Sequence, residues 1–173
     1  MSKLYVDELH PKTSGNHVRM PDKPAFQVST DATYTHTGGN VVQFDNDSRS
    51  GGLNRGNVWN TSTYKFTAPC DGLYQFYVRV SINSGEETRS AQIKCRINGT
   101  ELNADYVGRQ NLDGTTTGGT SYLKTDGQWI LDLSDGDEID FVLVWETDGG
   151  SDGFDSTESV HIHGTYANGF LIG

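Results

Sequence analysis

Residues 64–82 read YKFTAPCDGLYQFYVRVSI, and this stretch decides the fold. Beyond Gly72 the apolar side chains occupy alternate positions: Tyr74, Phe76, Val78, Val80 and Ile82. A period of two is what a half-buried antiparallel strand requires. Pro69 has no amide hydrogen to donate to a sheet, and Gly72 tolerates backbone angles that are closed to other residues. The pattern predicts a strand, a tight corner and a long central strand.

The rest of the chain repeats this signature of short apolar runs between turn residues. Further strands are predicted over residues 25–30, 40–45, 91–97, 101–111, 121–133, 138–146 and 160–172. Asn98-Gly99 is a strong hairpin signal, because both positions of such a turn need a positive φ. Residues 138–146 are apolar on both faces through their centre, so we expect this strand to be covered on both sides. Roughly ten strands without a helical crossover predict an all-β, two-sheet antiparallel sandwich.

Length and charge limit the class of protein. The chain has 173 residues, of which 34% are hydrophobic and 21 are glycine, which suits one β-rich domain with its own core. The formal net charge is −10 and the pI about 4.7, so nucleic acid and anionic membrane surfaces are poor partners. The sequence has no apolar run close to the ~20 residues that cross a bilayer.

Residues 1–24 differ from the remainder and are predicted to precede a domain over residues 25–173. Proline and glycine punctuate a segment whose apolar residues are few: Leu4, Tyr5, Val6 and Leu9. This segment is either a poorly ordered leader or a docking arm and neck, with residues 4–6 pairing as a strand with a partner. Asp7 and Glu8 interrupt the apolar core that an export signal needs, so we expect synthesis in a cytoplasm.

Two cysteines are too few for a disulfide scaffold. Cys95 shares an alternate face with Ala91, Ile93 and Ile97, which predicts a small buried apolar group. Cys70 lies in the predicted corner. A Cys70–Cys95 bridge and a reduced pair are both compatible with the sequence, and we favour the reduced pair.

The motifs resemble the globular head of complement C1q, within the tumour-necrosis-factor-like (TNF-like) jelly rolls. The central element is Phe66-x-x-Pro69-x-x-Gly72-x-Tyr74-x-Phe76. Matching segments flank it: VQFD at 42–45, NVWN at 57–60, Asn98-Gly99, Gly136-Asp137-x-Ile139 and the ending TYANGFLI at 165–172. Tyr64 stands where many members have Gly, and the ending carries one extra residue. Over residues 25–172 the resemblance implies a jelly roll that forms a homotrimer.

The closing strand supports the same assembly. Tyr166, Phe170, Leu171 and Ile172 are too apolar for the free end of a soluble monomer, unless they fill the monomer core. A cyclic trimer would cover them. His161 and His163 lie on one face of this strand, as part of a metal site or at the subunit contact. We favour the contact, which would make assembly sensitive to pH at about 6–7.

We recognise neither a signal peptide nor a collagen stalk, and the chain resembles small structural proteins of tailed bacteriophages, particularly of marine hosts. The resemblance implies a homotrimeric knob on the virion surface, as a capsid decoration or a tail or fibre appendage that adheres to the host. Other capsid or tail proteins would bind the N-terminal arm. The alternative is a stand-alone carbohydrate-binding module, in which exposed aromatic residues stack on sugars: Tyr34, Trp59, Tyr106 and Tyr122.

Enzyme signatures are missing from the sequence: it has no GxSxG, no HExxH, no phosphate-binding glycine loop and no convincing acid/base carboxylate pair. We expect no cofactor other than calcium, which prefers oxygen ligands from loops. The candidate calcium ligands are Asp135, Asp137, Asp152 and Asp155. Solvated acidic loops without a metal are the interpretation that we favour.

Overall fold

The computed structural model describes residues 23–48, 51–84, 88–102, 110–111, 121–147, 157–160 and 164–173. Within them the chain forms strands and no helix. The strands are β1 (Ala25–Ser29), β2 (Tyr34–Thr37), β3 (Leu53–Arg55), β4 (Trp59–Asn60), β5 (Lys65–Thr67), β6 (Gly72–Ser84), β7 (Thr88–Ile97), β8 (Thr100–Glu101), β9 (Gln110–Asn111), β10 (Ser121–Leu133), β11 (Glu138–Thr147), β12 (Thr157–Val160) and β13 (Tyr166–Leu171). The predicted all-β class is confirmed.

Two antiparallel sheets face each other. Sheet 1 runs β2-β12-β6-β13-β1-β3, with β10 paired to the other side of β6. Sheet 2 runs β4-β5-β11-β7-β8, with β9 also paired to β7. Strand β6 is the predicted central strand, and β10 pairs along it from Gly72↔Leu133 to Ser84↔Ser121. This arrangement is the predicted two-sheet jelly roll.

The core lies between the sheets and is rich in aromatic rings. Phe66 of β5 stands edge-on to Phe76 of β6 with ring centroids 5.1 Å apart. Phe26 of β1 stacks on Trp59 at 4.7 Å, and the Trp59 Nε1 donates a hydrogen bond of 3.0 Å to the Phe44 carbonyl. Since β11 is buried at every residue from 139 to 145, the prediction of cover on both faces is confirmed.

Three strand predictions need correction. Residues 40–45 are no strand, because Val41 bridges to β11 of sheet 2 while Asn46 bridges to β1 of sheet 1. The segment between those bridges crosses from one sheet to the other and buries Phe44 completely. Of the predicted strand over 160–172, residue 160 ends β12 and residues 166–171 form β13; of the one over 101–111, residue 101 ends β8 and residues 110–111 form β9. Strand β2 escaped prediction because its sequence, YTHT, lacks an apolar alternation.

The turns and thiols agree with the sequence. Asn98 and Gly99 have φ values of 52° and 79°, as the predicted β7–β8 hairpin requires. Cys95 is buried, Cys70 is exposed, and both are free thiols. Most of the predicted N-terminal arm, residues 1–22 with Leu4, Tyr5, Val6 and Leu9, lies outside the described residues.

Candidate functional site: the outer face of sheet 1

The side chains of sheet 1 that point away from the core form a face that we call the outer face. On β6 these are the residues that alternate with the buried ones: Leu73, Gln75, Tyr77 and Arg79. Strand β10 lies on one side of β6 and β13 on the other, in registers that align residues into rows across the sheet. The outer face is therefore defined by the register of three strands that are distant in sequence.

Part of this face, which we call the apolar row, carries the exposed apolar side chains Ile130, Phe170 and Leu73. Ile130 of β10, Gln75 of β6 and Phe170 of β13 occupy equivalent positions. Ile130 is 58% exposed and Phe170 is 43% exposed, and Leu73 two positions along β6 is 40% exposed. Scattered exposed apolar residues are ordinary, but several on one flat face mark an interaction surface.

Two tyrosines extend the apolar row toward the middle of the face. The rings of Tyr77 and Tyr166 lie 5.8 Å apart between centroids. Burial raises the pKa of Tyr77, and its side-chain hydrogen bond with Tyr166 raises the pKa further. The Tyr77 hydroxyl stays neutral at physiological pH, so this part of the face presents two aromatic rings and an uncharged Tyr77.

A charged row lies beyond the tyrosines. Asp126, Arg79, Tyr166 and Ser29 occupy equivalent positions on β10, β6, β13 and β1. The Arg79 Nε and the Ser29 Oγ are buried and have no hydrogen-bond partner in the described part of the chain. Buried donors without acceptors are uncommon in native proteins, and both of these atoms belong to one row of the outer face.

The predicted contact residues divide between the two sides of sheet 1. Tyr166 and Phe170 lie on the outer face, as the trimer interpretation expects. Ile172, 38% exposed, follows β13 and donates its amide hydrogen to the Leu73 carbonyl at 2.7 Å. Leu171 is partly buried and packs against the core, and its place in a subunit contact stays a prediction. His161 and His163 lie outside the described residues.

The predicted sugar-stacking residues do not form a surface among the described residues. The prediction of an exposed Trp59 is wrong, since its indole is 2% exposed and lies inside the aromatic core. Tyr34 is half-buried, and its hydroxyl accepts a hydrogen bond of 2.9 Å from the Gln43 amide. Tyr106 lies outside the described residues, and Tyr122 is described only by its place on β10, opposite Asn83.

The candidate calcium ligands also lack a described site. Asp137 accepts hydrogen bonds of 2.8 Å from both Asn98 Nδ2 and the Ser134 amide, and these bonds lower its pKa. Asp137 thus ties the β7–β8 hairpin to the β10–β11 turn. No group of three or more potential metal ligands exists among the described residues. Asp152 and Asp155 lie outside them, and calcium binding at Asp135 and its neighbours stays a prediction.

The sequence missed several residues of the outer face. Ile130 could have been found, because this apolar residue lies between Trp129 and Leu131, at a position where the strand alternation expects a polar side chain. Leu73 lies beside the corner, and no sequence pattern indicated its exposure. Arg79 and Asp126 look like ordinary exposed charges until the register aligns them. In the described residues, no helix has the length and hydrophobicity to cross a membrane.

Comparisons with known proteins agree on the fold. The family model described as "C1q domain" matches residues 25–171. The globular domain of zebrafish complement 1qA protein matches with a TM-score of 0.55 and 22% identity, covering 87% of this chain and 98% of that chain. Murine APRIL matches with a TM-score of 0.55 and 11% identity, covering 86% and 98%. No curated protein sequence matches. With its jelly roll, its central motif and this match over most of its length, the chain belongs to the C1q domain family.

Proposed function

We propose that this protein is a non-enzymatic assembly module: a homotrimer in which the outer face of sheet 1 forms the contact between subunits. C1q-like and TNF-like domains are generally binding modules without enzymatic activity, and they typically form homotrimers. The proposal identifies the residues of this chain that would make that contact.

The observation that carries the proposal is the apolar row. A monomer would keep Ile130, Phe170 and Leu73 in contact with water at a cost of about 25 cal/mol for each Å² of apolar surface. A second copy of the chain offers the same row, together with the opposite charges of Asp126 and Arg79 in the charged row. The occupant we propose is therefore another subunit of this protein.

Substitutions in the row test this proposal. Ile130→Glu and Phe170→Glu each place a carboxylate in the proposed contact and should convert the trimer into folded monomers. Thr100→Glu, on the exposed β7–β8 hairpin, is the matched control and should leave the assembly unchanged. Analytical ultracentrifugation reports the mass, and circular dichroism confirms the strand content. If Ile130→Glu and Phe170→Glu sediment like the parent protein, the outer face is not the contact.

We further propose that the trimer is a structural protein of a virion, displayed on the capsid or on a tail appendage and held there by residues 1–24. The support is the resemblance of the short N-terminal segment and C1q-like head to small phage structural proteins. Gold-labelled antibody against this chain, imaged on purified particles, should label one repeated position. Absence of the chain from particles, combined with binding to a panel of polysaccharides, would favour the carbohydrate-binding alternative.

A further inference from the structure

The charged row of the outer face contains a donor without an acceptor among the described residues. Arg79 lies at the centre of sheet 1, between Asp126 of β10 and Tyr166 of β13. Its Nε hydrogen is buried without an acceptor in the described residues. The charges of Asp126 and Arg79 both act on the Tyr77 hydroxyl: the Asp126 charge raises the pKa of Tyr77 and the Arg79 charge lowers it. Arg79 therefore lies opposite Tyr166 in the register and has one donor without a partner in the described residues.

Asp126 and Arg79 lie on neighbouring strands of sheet 1, β10 and β6. Strand β10 pairs with β6 alone within sheet 1, so β10 is an edge of that sheet in the described part of the chain. Asp126 therefore projects near an edge, while Arg79 projects from the middle of the face. Contacts in a cyclic trimer are heterologous: one surface of a subunit meets a different surface of the next. A contact between the β10 edge of one subunit and the outer face of the next subunit satisfies that condition.

Rotation of one subunit onto the next about an axis that lies along the strands does not shift any residue in the strand direction. In a trimer whose axis lies along the strands, each row of one subunit consequently meets the same row of the next subunit. The apolar row then brings Ile130 of one copy against Phe170 of another, in agreement with their exposure. Four positions further along the strands, the same rotation brings Asp126 of β10 toward β13 of the next subunit, where Tyr166 lies directly opposite Arg79 in the register.

We propose that Arg79 of each subunit receives the Asp126 carboxylate of the neighbouring subunit, so that three such pairs fix the register of the trimer. This inference rests on the proposed homotrimer and adds to it a specificity element. A partially buried arginine forms geometrically defined bonds with a carboxylate. A chain that lacked either charge would place an unpaired ion in the contact, which disfavours assembly with other chains.

Mixing of single variants tests the pairing between subunits. Arg79→Asp alone opposes two carboxylates at each contact, and Asp126→Arg alone opposes two guanidinium groups. Each should weaken trimer association by at least about tenfold. When the two variants are mixed, trimers with two copies of one and one of the other contain two matched contacts. Native mass spectrometry with one variant tagged should therefore detect mixed trimers at concentrations where each variant alone is monomeric.

Two further measurements keep the result interpretable. Asp135→Arg makes the same charge change in the exposed β10–β11 turn and should leave assembly unchanged. If the reversed charges prevent folding, the milder pair Arg79→Gln and Asp126→Asn replaces them. Two residues that pair are non-additive, so the Arg79→Gln/Asp126→Asn double variant should associate no more weakly than the weaker single variant.

The failures are distinguishable. If the parent protein is a monomer, both the proposed trimer and the proposed pairing are wrong. If the parent is a trimer and the charge reversals leave association unchanged, the trimer stands and the pairing is wrong. If each reversal weakens association but mixing restores nothing, Arg79 and Asp126 interact within one subunit, which also overturns the proposal.

Discussion

Arg96 of β7 holds the carboxylate of Asp140 of β11 through two hydrogen bonds, 2.6 Å from Nε to Oδ1 and 2.8 Å from Nη2 to Oδ2. The Asp140 side chain is only 3% exposed, whereas the Arg96 side chain is 28% exposed. The two residues are opposite each other in the β7–β11 register. This bidentate pair is what permits a carboxylate inside a strand that is otherwise apolar on both faces.

Removal of the arginine should therefore be costly. Arg96→Met leaves a buried carboxylate without its cation and should lower the free energy of unfolding by about 3 kcal/mol. The Arg96→Met/Asp140→Leu double variant removes the stranded charge and should recover part of that loss. Lys65→Met is the control, because its 2.7 Å pair with Glu138 is considerably more exposed and should contribute less than about 1 kcal/mol. Urea unfolding measures all four proteins, and equal losses in the two single variants would contradict this account.

His36 makes the fold sensitive to acid. Its ring is 2% exposed, lies 5.9 Å from the Trp145 ring between centroids, and has a buried Nε2 without a partner in the described residues. Burial lowers the pKa of His36 from 6.5 to about 4. Between these values the unfolded chain binds a proton that the folded chain does not, so stability falls as the pH falls. The loss should total about 3 kcal/mol from pH 7 to pH 4, and little more follows below pH 4.

The His36→Leu variant isolates this contribution. Other groups also titrate between pH 7 and pH 4, so the measured quantity is the stability difference between parent and variant at each pH. That difference should shift by about 3 kcal/mol in favour of the variant on acidification. A difference that is constant with pH would show that His36 takes up its proton equally in the folded and unfolded states.

Gly169 is required by packing. A methyl group at this position would stand 2.6 Å from Phe26 Cε1 and 2.7 Å from Phe76 Cδ1, well inside van der Waals contact. Both rings belong to the aromatic core, where there is little room to move. Gly169→Ala should cost about 1–3 kcal/mol of folding stability through overpacking. Gly173→Ala, with nothing within 4 Å of the added methyl group, should be neutral in the same thermal melt.

The two thiols should react very differently. Burial raises the pKa of Cys95 far above its ordinary value, whereas Cys70 is exposed in the corner before β6. A thiol reagent at pH 8 should modify one cysteine per native chain and two after denaturation. Cys70→Ser should abolish the native reaction. Two fast-reacting thiols in the native protein, or none after denaturation without reductant, would contradict the described structure.

The core was predictable because it depends on local alternation. The alternation over residues 74–82 predicts the central strand, and the apolar run over residues 139–145 predicts a strand covered on both sides. The family resemblance contributed a detail that periodicity lacks: many members have Gly where this chain has Tyr64. The structure supplies the reason, since Tyr64 has a φ of 60°, in the left-handed region that favours glycine.

The candidate site was only half predictable for a physical reason. Tyr166 and Phe170 are close in sequence, so the apolar ending identified them. Ile130 and Gln75 become neighbours of Phe170 only through the β10–β6–β13 register, which one sequence does not specify. The same limitation explains the wrong assignment of Trp59, an apolar residue near a strand end, where sequence alone leaves the choice between core and surface open.

Sedimentation equilibrium of the parent protein at micromolar concentration tests the central claim most directly. A trimer that buries the outer face of sheet 1 has a mass of about 57 kDa, three times the subunit mass of 19.0 kDa. We predict that single mass across the concentration range. A stable, folded species of 19.0 kDa would contradict the account, because the apolar row would then remain exposed in the native protein.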